Sequence, residues 1–369
     1  MGWIKKSNTA QYKRADWKNF IKKETNCTPE KARRIAFMDP EITFYFFCRE
    51  PMVLEGPVYE KYGPFNAGDA VFFKGEPWLG DAPQCDTYEK NGISVAYINP
   101  PDPTKSNEFK QIGCYLMADG SAAVDVVCIF GGNYCTNDSP YLRAGNNPDA
   151  KEPFNKNIMD VLKRGWVKTL QDKGIVVLIT VLNGRQPVGW SEFTSEDTVQ
   201  GFVNYLKSDV LDQYGLDGID IDDEYSSGVP KPDSLIMVTT LMKQTMPNKL
   251  ITKALFSDHS YFENKWKINT LAQNLDYGWE MSYYDGGPKG RLDFYATHGM
   301  NKNTLCLGFS TDINTKTEIT NNMNKVVEDG YGGGMLFDFE NQPKSLPLME
   351  AIVDTMAGPN NWNHNPNCS

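Results

Sequence analysis

The sequence predicts an α/β protein whose main domain is a (β/α)8 TIM barrel, preceded by a smaller and mostly β N-terminal region. After residue 111, eight apolar strand candidates occur, and helical stretches separate most of them. The strands are apolar almost without interruption, as in the run from Ile175 to Ile179, which is typical of strands that helices bury on both faces. Eight such units over roughly 250 residues match the size of a barrel of this kind.

An open doubly wound sheet is the alternative architecture for the same order of elements. No glycine-rich loop of the dinucleotide-binding or P-loop type follows a strand candidate, so the barrel is favoured. The expected strands are 112–117, 124–130, 175–182, 216–221, 248–255, 277–283, 303–309 and 333–339. The expected helices are 155–173, 195–211, 232–245, 315–329 and 346–356.

Residues 1–105 differ from the rest of the chain in their sequence pattern and are expected to form a separate region, with the barrel domain at 106–369. A basic segment from Tyr12 to Lys23 is predicted to be helical, and three proline residues between 100 and 107 predict a linker. Short β-like runs occupy 41–48, 69–74 and 92–98, between turns rich in proline and glycine. The sequence leaves open whether this region binds glycans or packs against the barrel.

Composition excludes several classes of function. With 37 Lys and Arg against 47 Asp and Glu, the formal charge is −10, which argues against a nucleic-acid-binding surface. The longest apolar stretch, residues 174–182, is far shorter than the roughly 20 residues that span a bilayer, so a soluble protein is expected. The start, Met1 to Lys6, lacks an apolar signal region. We expect a secreted or cell-surface protein as the mature chain, with a cytoplasmic protein as the alternative.

No metal or other cofactor is expected. The eight cysteines include no CxxC pair and only three histidines accompany them, which disfavours a zinc site. Four disulfides are conceivable. However, Cys114 and Cys128 lie in apolar strand-like runs, where buried free thiols are the commoner state.

The most informative stretch is the acidic strand, residues 214–225, with the sequence YGLDGIDIDDEY. Because successive side chains of a strand face opposite sides, Ile219 and Ile221 point toward the helices. Asp220, Asp222 and Glu224 then point together into the barrel, with Cα atoms about 6.5–7 Å apart. Carboxyl groups this close must share protons or meet a cation. A magnesium site is one interpretation, and a pair of catalytic carboxyl groups at Asp222 and Glu224 is the favoured one.

The spacing Asp217-Gly-x-Asp220-x-Asp222-x-Glu224 has the form of the DGxDxDxE signature of glycoside hydrolase family 18. The whole acidic strand resembles the fourth barrel strand of the bacterial endo-β-N-acetylglucosaminidases of the endoglycosidase H and F type. The resemblance covers about residues 111–357. It also rests, in the same order along the chain, on segments 117–120, 130–133, 174–182, 276–284 and 330–333.

The resemblance implies hydrolysis by a substrate-assisted retaining mechanism. Glu224 would protonate the glycosidic oxygen, and the 2-acetamido group of the sugar would attack its own anomeric carbon to form an oxazolinium ion. Asp222 would orient that amide, Asp220 would share a proton with Asp222, and Tyr283 would donate to the oxazoline oxygen. The residues expected to bind substrate are Asn133, Trp279, Tyr277, Glu280 and Phe337, with Trp279 and Tyr277 as candidates for the floor under the −1 sugar or, equally, as core residues.

The resemblance therefore implies an endo-β-N-acetylglucosaminidase that acts on N-glycans of glycoproteins, between the two N-acetylglucosamine residues of the N,N′-diacetylchitobiose core. A chitinase is the alternative within the same class, disfavoured because Tyr284 stands where chitinases carry Asp and Phe337 where many carry Trp. A non-catalytic glycan-binding protein of family 18 is the alternative from another class. Such proteins typically lose an acid of the signature, and this chain keeps Asp222 and Glu224.

Overall fold

The computed structural model of the chain describes residues 3–6, 20–51, 65–74, 85–90, 92–100, 108–134, 142–144, 147, 149–182, 189–224, 229–284, 286–340, 343–358 and 360–365. The N-terminal elements are β1 (Trp3–Lys6), β2 (Phe20–Glu24), α1 (Pro29–Phe37), β3 (Phe44–Cys48), β4 (Ala70–Phe73) and β5 (Cys85–Lys90). The five strands form an antiparallel sheet in the order β1-β5-β3-β4-β2, and helix α1 lies between β2 and β3 along the chain.

Eight parallel strands then close into a barrel, which confirms the predicted TIM-barrel fold. The barrel strands are β6 (Ile93–Ile98), β8 (Val126–Asn133), β9 (Val176–Leu182), β10 (Gly218–Asp222), β11 (Leu250–Leu255), β12 (Tyr277–Glu280), β13 (Leu305–Ser310) and β14 (Gly333–Phe337). Two short strands outside the barrel, β7 (Tyr115–Met117) and β15 (Trp362–His364), pair with each other.

Helices cover the outside of the barrel. They are α2 (Glu108–Ile112), α3 (Lys156–Lys163), α4 (Trp166–Gln171), α5 (Glu196–Tyr205), α6 (Pro232–Thr245), α7 (His259–Glu263), α8 (Leu271–Asn274), α9 (Gly287–Thr297), α10 (Lys316–Glu328) and α11 (Leu346–Ala357). The single helix expected at 155–173 is divided, because Gly165 has a positive φ of 79° that ends one helix before the next begins. The other four expected helices are confirmed, and α5 continues as a π-helical turn over Leu206–Asp212.

Burial on both faces explains the apolar strands. In β9, Val176 and Leu178 belong to the cluster inside the barrel, whereas Val177 and Ile179 pack among the covering helices. Ile219 and Ile221 of β10 also pack on the helix side, which confirms the predicted parity of the acidic strand.

The first barrel strand lies earlier than predicted. The strand expected at 112–117 is wrong as a barrel strand, because Tyr115–Met117 pairs antiparallel with β15 outside the barrel. Ile93–Ile98 takes its place, pairing with β14 on one side and β8 on the other. This strand lies on the N-terminal side of the expected boundary at residue 105, and we propose on that ground that the barrel domain begins before residue 93.

Two other expectations concern the N-terminal region. The helix expected from Tyr12 to Lys23 is wrong where it can be compared, since residues 20–23 belong to strand β2. Its remaining part lies outside the described residues, as do residues 101–107 of the expected linker.

Helix α1 closes the N-terminal end of the barrel. The Nη2 atom of Arg33 is 2.7 Å from Oδ1 of Asp125, and Arg34 donates through Nε and Nη2 to Oδ1 of Asp217, at 3.1 and 2.7 Å. The ring of Phe37 stacks on Tyr277 inside the barrel, 4.8 Å away, and the Tyr277 hydroxyl donates to the Phe37 carbonyl at 2.9 Å. These contacts support packing against the barrel as the role of this part of the N-terminal region.

We expect Phe37→Ala to lower the free energy of unfolding by about 3–5 kcal/mol, because the change empties a fully packed site at the base of the barrel. Urea denaturation followed by tryptophan fluorescence measures the change, with the exposed Val327→Ala as a control expected to stay within about 0.5 kcal/mol. A loss below about 1 kcal/mol for Phe37→Ala would show that α1 does not anchor the barrel.

Five cysteines of the described residues fall into two groups. Cys27, Cys128 and Cys306 are buried and form no disulfide, as expected for Cys128. Cys48 and Cys114 each take part in a disulfide bond, so the expectation of a free thiol at Cys114 is wrong. The apolar neighbourhood that buries Cys114 suits a disulfide sulfur as well as a thiol, and the sequence pattern could not separate the two. Within the described residues, no helix has both the length and the apolar character needed to cross a bilayer.

Candidate active site

The deepest acid of the row, Asp220, is a fully buried carboxyl group surrounded by hydrogen-bond donors. Its Oδ2 atom accepts from the hydroxyls of Tyr97 (2.6 Å) and Thr180 (2.9 Å), and its Oδ1 atom accepts from Thr252 (2.7 Å) and the indole of Trp279 (3.0 Å). Burial raises the pKa of Asp220, although these four donors act in the opposite direction. Four barrel strands therefore converge on this one side chain.

Asp222 lies one step nearer the C-terminal end of β10 and is 3% exposed. Its Oδ1 atom has no hydrogen-bond partner, and no hydrogen bond joins its carboxyl group to that of Asp220. Burial, and then the neighbouring Glu224 and Asp220, raise the pKa of Asp222 well above its usual range, while Lys253 acts in the opposite direction. A buried oxygen without a partner has a place for a donor from outside the protein. Proton sharing between Asp220 and Asp222 stays a prediction.

Glu224 is exposed and follows the end of β10 at the rim of the barrel. Asp222 and Glu224 both line a cleft of about 370 Å³ at this end. The aromatic residues of the cleft are Tyr97, Phe130, Phe256, Tyr283, Tyr284 and Phe337. The cleft therefore brings together four residues that the sequence predicts at the site: Asp222, Glu224, Tyr283 and Phe337.

Tyr283 is held in an unusual backbone conformation beside the acids. Its φ is 61°, its ring stacks on Phe337 at 5.9 Å, and its carbonyl accepts a hydrogen bond of 3.0 Å from Nδ2 of Asn314. Burial, followed by the charges of Asp222 and Glu224, raises the pKa of the Tyr283 phenol. The phenol is therefore protonated at neutral pH and can donate a hydrogen bond into the cleft.

Four residues expected to bind substrate are not among those that line the cleft. Trp279 and Tyr277 are fully buried, the first donating to Asp220 and the second contacting Phe37 at the base of the barrel. Glu280 is 4% exposed and is engaged by the guanidinium of Arg291 and by the Ser282 N–H. Asn133 is the last residue of β8. A substrate contact by these four residues stays a prediction without support from this geometry.

Asp217, the first aspartate of the signature, does not line the cleft and instead holds elements of the fold together. Its Oδ2 atom accepts from the Val177 N–H at 2.9 Å and from Gln171 at 3.0 Å, and Arg34 holds its other oxygen. This aspartate therefore ties the start of β10 to β9 and to α1.

Several residues of the cleft were not predicted from the sequence. Tyr97 lies on β6, which the sequence pattern places in the N-terminal region, so that pattern does not predict its inward position. Phe130 lies on β8 and Phe256 follows β11. The rule that places active sites at the C-terminal ends of barrel strands could have found both. In the described part of the chain, no group of three or more His, Cys, Asp or Glu residues could hold a metal ion.

Comparison with known proteins gives consistent matches. A family model described as the TIM-barrel domain of the endo-β-N-acetylglucosaminidase EndoS matches residues 114–329. An endo-β-N-acetylglucosaminidase of a Flavobacterium species, strain SK1022, is 25% identical over 291 residues, which are 75% of this chain and 84% of that protein. Endo-β-N-acetylglucosaminidase F1 of Elizabethkingia meningoseptica is 25% identical over 284 residues, which are 72% and 78% of the two chains.

Solved structures share the fold. EndoBT-3987 of Bacteroides thetaiotaomicron, in a crystal structure with Man5GlcNAc product, superposes with a TM-score of 0.53 at 14% identity, covering 98% of this chain and 90% of the other. A chitinase from the same organism gives a TM-score of 0.53 at 14% identity, covering 74% and 99%. At this identity the likeness concerns the fold alone.

Proposed function

The chain belongs to the endo-β-N-acetylglucosaminidases with an EndoS-type TIM barrel and is a glycoside hydrolase, and we propose that it cleaves N-linked glycans within their N,N′-diacetylchitobiose core by substrate-assisted retention. The observation that carries the proposal is the buried Asp222 oxygen without a partner, directly below Glu224 in the cleft. Two relatives named as endo-β-N-acetylglucosaminidases, each matched over more than 70% of both chains, support the substrate class.

The positions of three residues support a chemical role for each of them. Glu224 is at the rim, where it can reach the glycosidic oxygen and donate a proton. Asp222 is deeper and can accept the N–H of the 2-acetamido group, which turns the amide carbonyl toward the anomeric carbon and balances the positive charge of the oxazolinium ion. Tyr283 can donate to the amide oxygen. Water then opens the oxazolinium, with Glu224 as the base that accepts its proton.

Mass analysis of an N-glycoprotein after incubation tests this function. The expected result is a single N-acetylglucosamine left on each asparagine and a released glycan that has lost one N-acetylglucosamine. Because chitinases share the fold, chitin oligosaccharides are offered in a parallel reaction. If chitin oligosaccharides are cleaved while N-glycans stay intact, the protein is a chitinase. If it binds these substrates but cleaves neither, it is a glycan-binding protein.

Three exposed apolar side chains at the cleft mouth are proposed to contact the apolar faces of the sugars. Phe256, Tyr284 and Ile313 are 50%, 69% and 42% exposed and all line the cleft. We expect Tyr284→Ala and Ile313→Ala to raise KM about threefold to tenfold with little change in kcat, because they remove contact made equally in the ground and transition states. Steady-state kinetics on a glycopeptide measures this. Ile268→Ala, 87% exposed and outside the cleft lining, is the matched control, and an equal effect there would contradict the assignment.

We expect activity to survive removal of metal ions, because the proposed reaction uses only proton transfer and the substrate's own amide. The enzyme is dialysed against EDTA and assayed with and without added magnesium or calcium. Loss of activity on dialysis, with recovery on adding either ion, would revive the cation interpretation of the acidic row.

We also propose that the protein works in an oxidising compartment, as a secreted or cell-surface enzyme. The disulfide bonding of Cys48 and Cys114 supports this, since disulfides persist mainly in such environments.

A further inference from the structure

A side chain from one loop of the barrel rim holds the backbone of the neighbouring loop, at Tyr283. Tyr283 follows β12, and Asn314 follows β13, the adjacent strand of the barrel. The Nδ2 atom of Asn314 donates to the Tyr283 carbonyl at 3.0 Å, and its Oδ1 atom accepts from the Ser310 N–H at 2.8 Å. Because one partner is a backbone acceptor and the other a backbone donor, these two bonds define which way the amide is turned.

The turn that carries Asn314 is closed by its own hydrogen bonds. The carbonyl of Ser310, the last residue of β13, accepts from the N–H groups of Ile313 at 3.2 Å and of Asn314 at 3.0 Å. Ser310 is 5% exposed, and its Oγ atom accepts from the Asp312 N–H at 3.3 Å. Asn314 therefore projects from a turn that is anchored on a barrel strand, and its amide can serve as a firm support for a neighbouring loop.

Tyr283 needs a support because its backbone conformation is unfavourable for a residue with a side chain. Its φ of 61° lies in the left-handed region, where Cβ crowds the neighbouring carbonyl oxygen. Such a conformation persists only where the surrounding structure holds it. The two preceding residues are held as well, since the Met281 N–H donates to the Leu255 carbonyl at 3.0 Å and the Ser282 N–H to Oε1 of Glu280 at 2.9 Å. The bond from Asn314 falls on Tyr283 itself.

The position of the Tyr283 phenol depends on this backbone conformation. A return of φ to negative values would swing the side chain relative to β12, and the ring would leave Phe337, on which it stacks at 5.9 Å. In the observed conformation Tyr283 lines the cleft together with Asp222 and Glu224. A hydrogen-bond donor stabilises a transition state only when it is aimed at the atom on which charge develops, so a small displacement of the phenol would cost rate.

We propose that Asn314 is a positioning residue, which holds the left-handed backbone of Tyr283 and thereby places the phenol for donation to the acetamido oxygen of the substrate. Asn314 is not among the residues that line the cleft, so it acts through Tyr283 and not by contact with the sugar. The inference rests on the proposed function, because it uses the role of Tyr283 as a donor to the amide that attacks the anomeric carbon.

Two substitutions of Asn314 remove the support in different ways. Asn314→Asp keeps an acceptor for the Ser310 N–H but offers the Tyr283 carbonyl no donor, whereas Asn314→Ala removes both bonds and adds no charge near the acids. Each should lower kcat on a glycopeptide roughly 10- to 100-fold and change KM less than about threefold, because the phenol acts mainly in the transition state. Asn324→Asp and Asn324→Ala, at an exposed position of α10, are the matched controls and should keep the wild-type kcat.

A double-mutant cycle with Tyr283→Phe separates positioning from general structural support. Tyr283→Phe removes the hydroxyl and should lower kcat by roughly 10²-fold. If Asn314 acts by placing that hydroxyl, Asn314→Ala has little left to remove, and the double variant should stay within about threefold of Tyr283→Phe. Losses that multiply in full would make Asn314 a structural residue and overturn the inference, as would a wild-type kcat in Asn314→Ala. If Asn314→Ala loosens the turn and fails to fold, Asn314→Asp takes its place in the cycle.

Fluorine NMR separates this inference from the proposed function, because it needs no activity. Tyr283 is replaced by 3-fluorotyrosine, whose resonance senses the ring of Phe337. In Asn314→Asp and Asn314→Ala the resonance should move toward its position in the urea-unfolded protein, and in Asn324→Ala it should stay in place. If the wild-type protein cleaves no glycan, the proposed function fails, and the resonance still decides whether Asn314 positions the ring. A resonance that both Asn314 variants leave unmoved would overturn the inference.

Discussion

Glu224→Gln is expected to lower kcat by roughly 10³- to 10⁴-fold while the barrel stays folded. Glutamine preserves the shape of the side chain at the rim of the cleft but cannot donate a proton to the leaving oxygen. Hydrolysis of a glycopeptide, followed by chromatography, measures the loss, and the far-ultraviolet circular dichroism and thermal midpoint of the variant should match those of the wild type.

Glu263→Gln provides the matched control for this substitution. Glu263 ends α7, is exposed and does not line the cleft, so its amide variant should retain full activity. If Glu224→Gln kept more than a few per cent of wild-type turnover, Glu224 would not be the general acid and another group of the cleft would have to supply the proton.

The second large effect is expected for Asp222→Asn. Hydrolysis should fall by roughly 10²- to 10³-fold, because an amide can no longer balance the charge that develops on the oxazolinium ion, an electrostatic contribution of about 3–4 kcal/mol. A supplied sugar oxazoline already carries the activated ring. The variant should therefore still transfer that sugar to an N-acetylglucosamine acceptor while hydrolysing the product poorly.

The Asp222→Asn experiment has a clear contrary outcome. A covalent sugar ester on Asp222, found by peptide mass mapping after reaction of the wild type with a 2-fluoro substrate, would make Asp222 a nucleophile. The mechanism would then be the two-carboxylate retaining reaction. Asp172→Asn, at the exposed C-terminus of α4 outside the cleft, serves as the control for effects of a lost surface carboxylate.

Local patterns predicted the orientation of the acidic strand well. Ile219 and Ile221 alternate with the acids, and a period of two residues fixes which side chains face the barrel interior. The same parity correctly places Tyr277 and Trp279 inside the barrel. It carries no information about depth, so it could not show that both residues lie below the cleft, where they support Phe37 and Asp220.

Contacts distant in sequence explain what the sequence could not predict. Ile93–Ile98 reads as an ordinary apolar strand, and only its pairing with β14, more than 200 residues later, makes it the first strand of the barrel. The docking of α1 depends on Asp125, Asp217 and Tyr277 meeting at one end of the closed barrel.

Fluorination of the acetamido group tests most directly whether the substrate supplies its own nucleophile. Initial rates are measured on glycosides of the core disaccharide whose −1 sugar carries an N-acetyl, N-fluoroacetyl, N-difluoroacetyl or N-trifluoroacetyl group. Each fluorine withdraws electrons from the amide carbonyl and weakens its attack on the anomeric carbon. A steep, progressive fall in kcat along the series is the predicted result, whereas rates that stay level across the four substrates would contradict the mechanism.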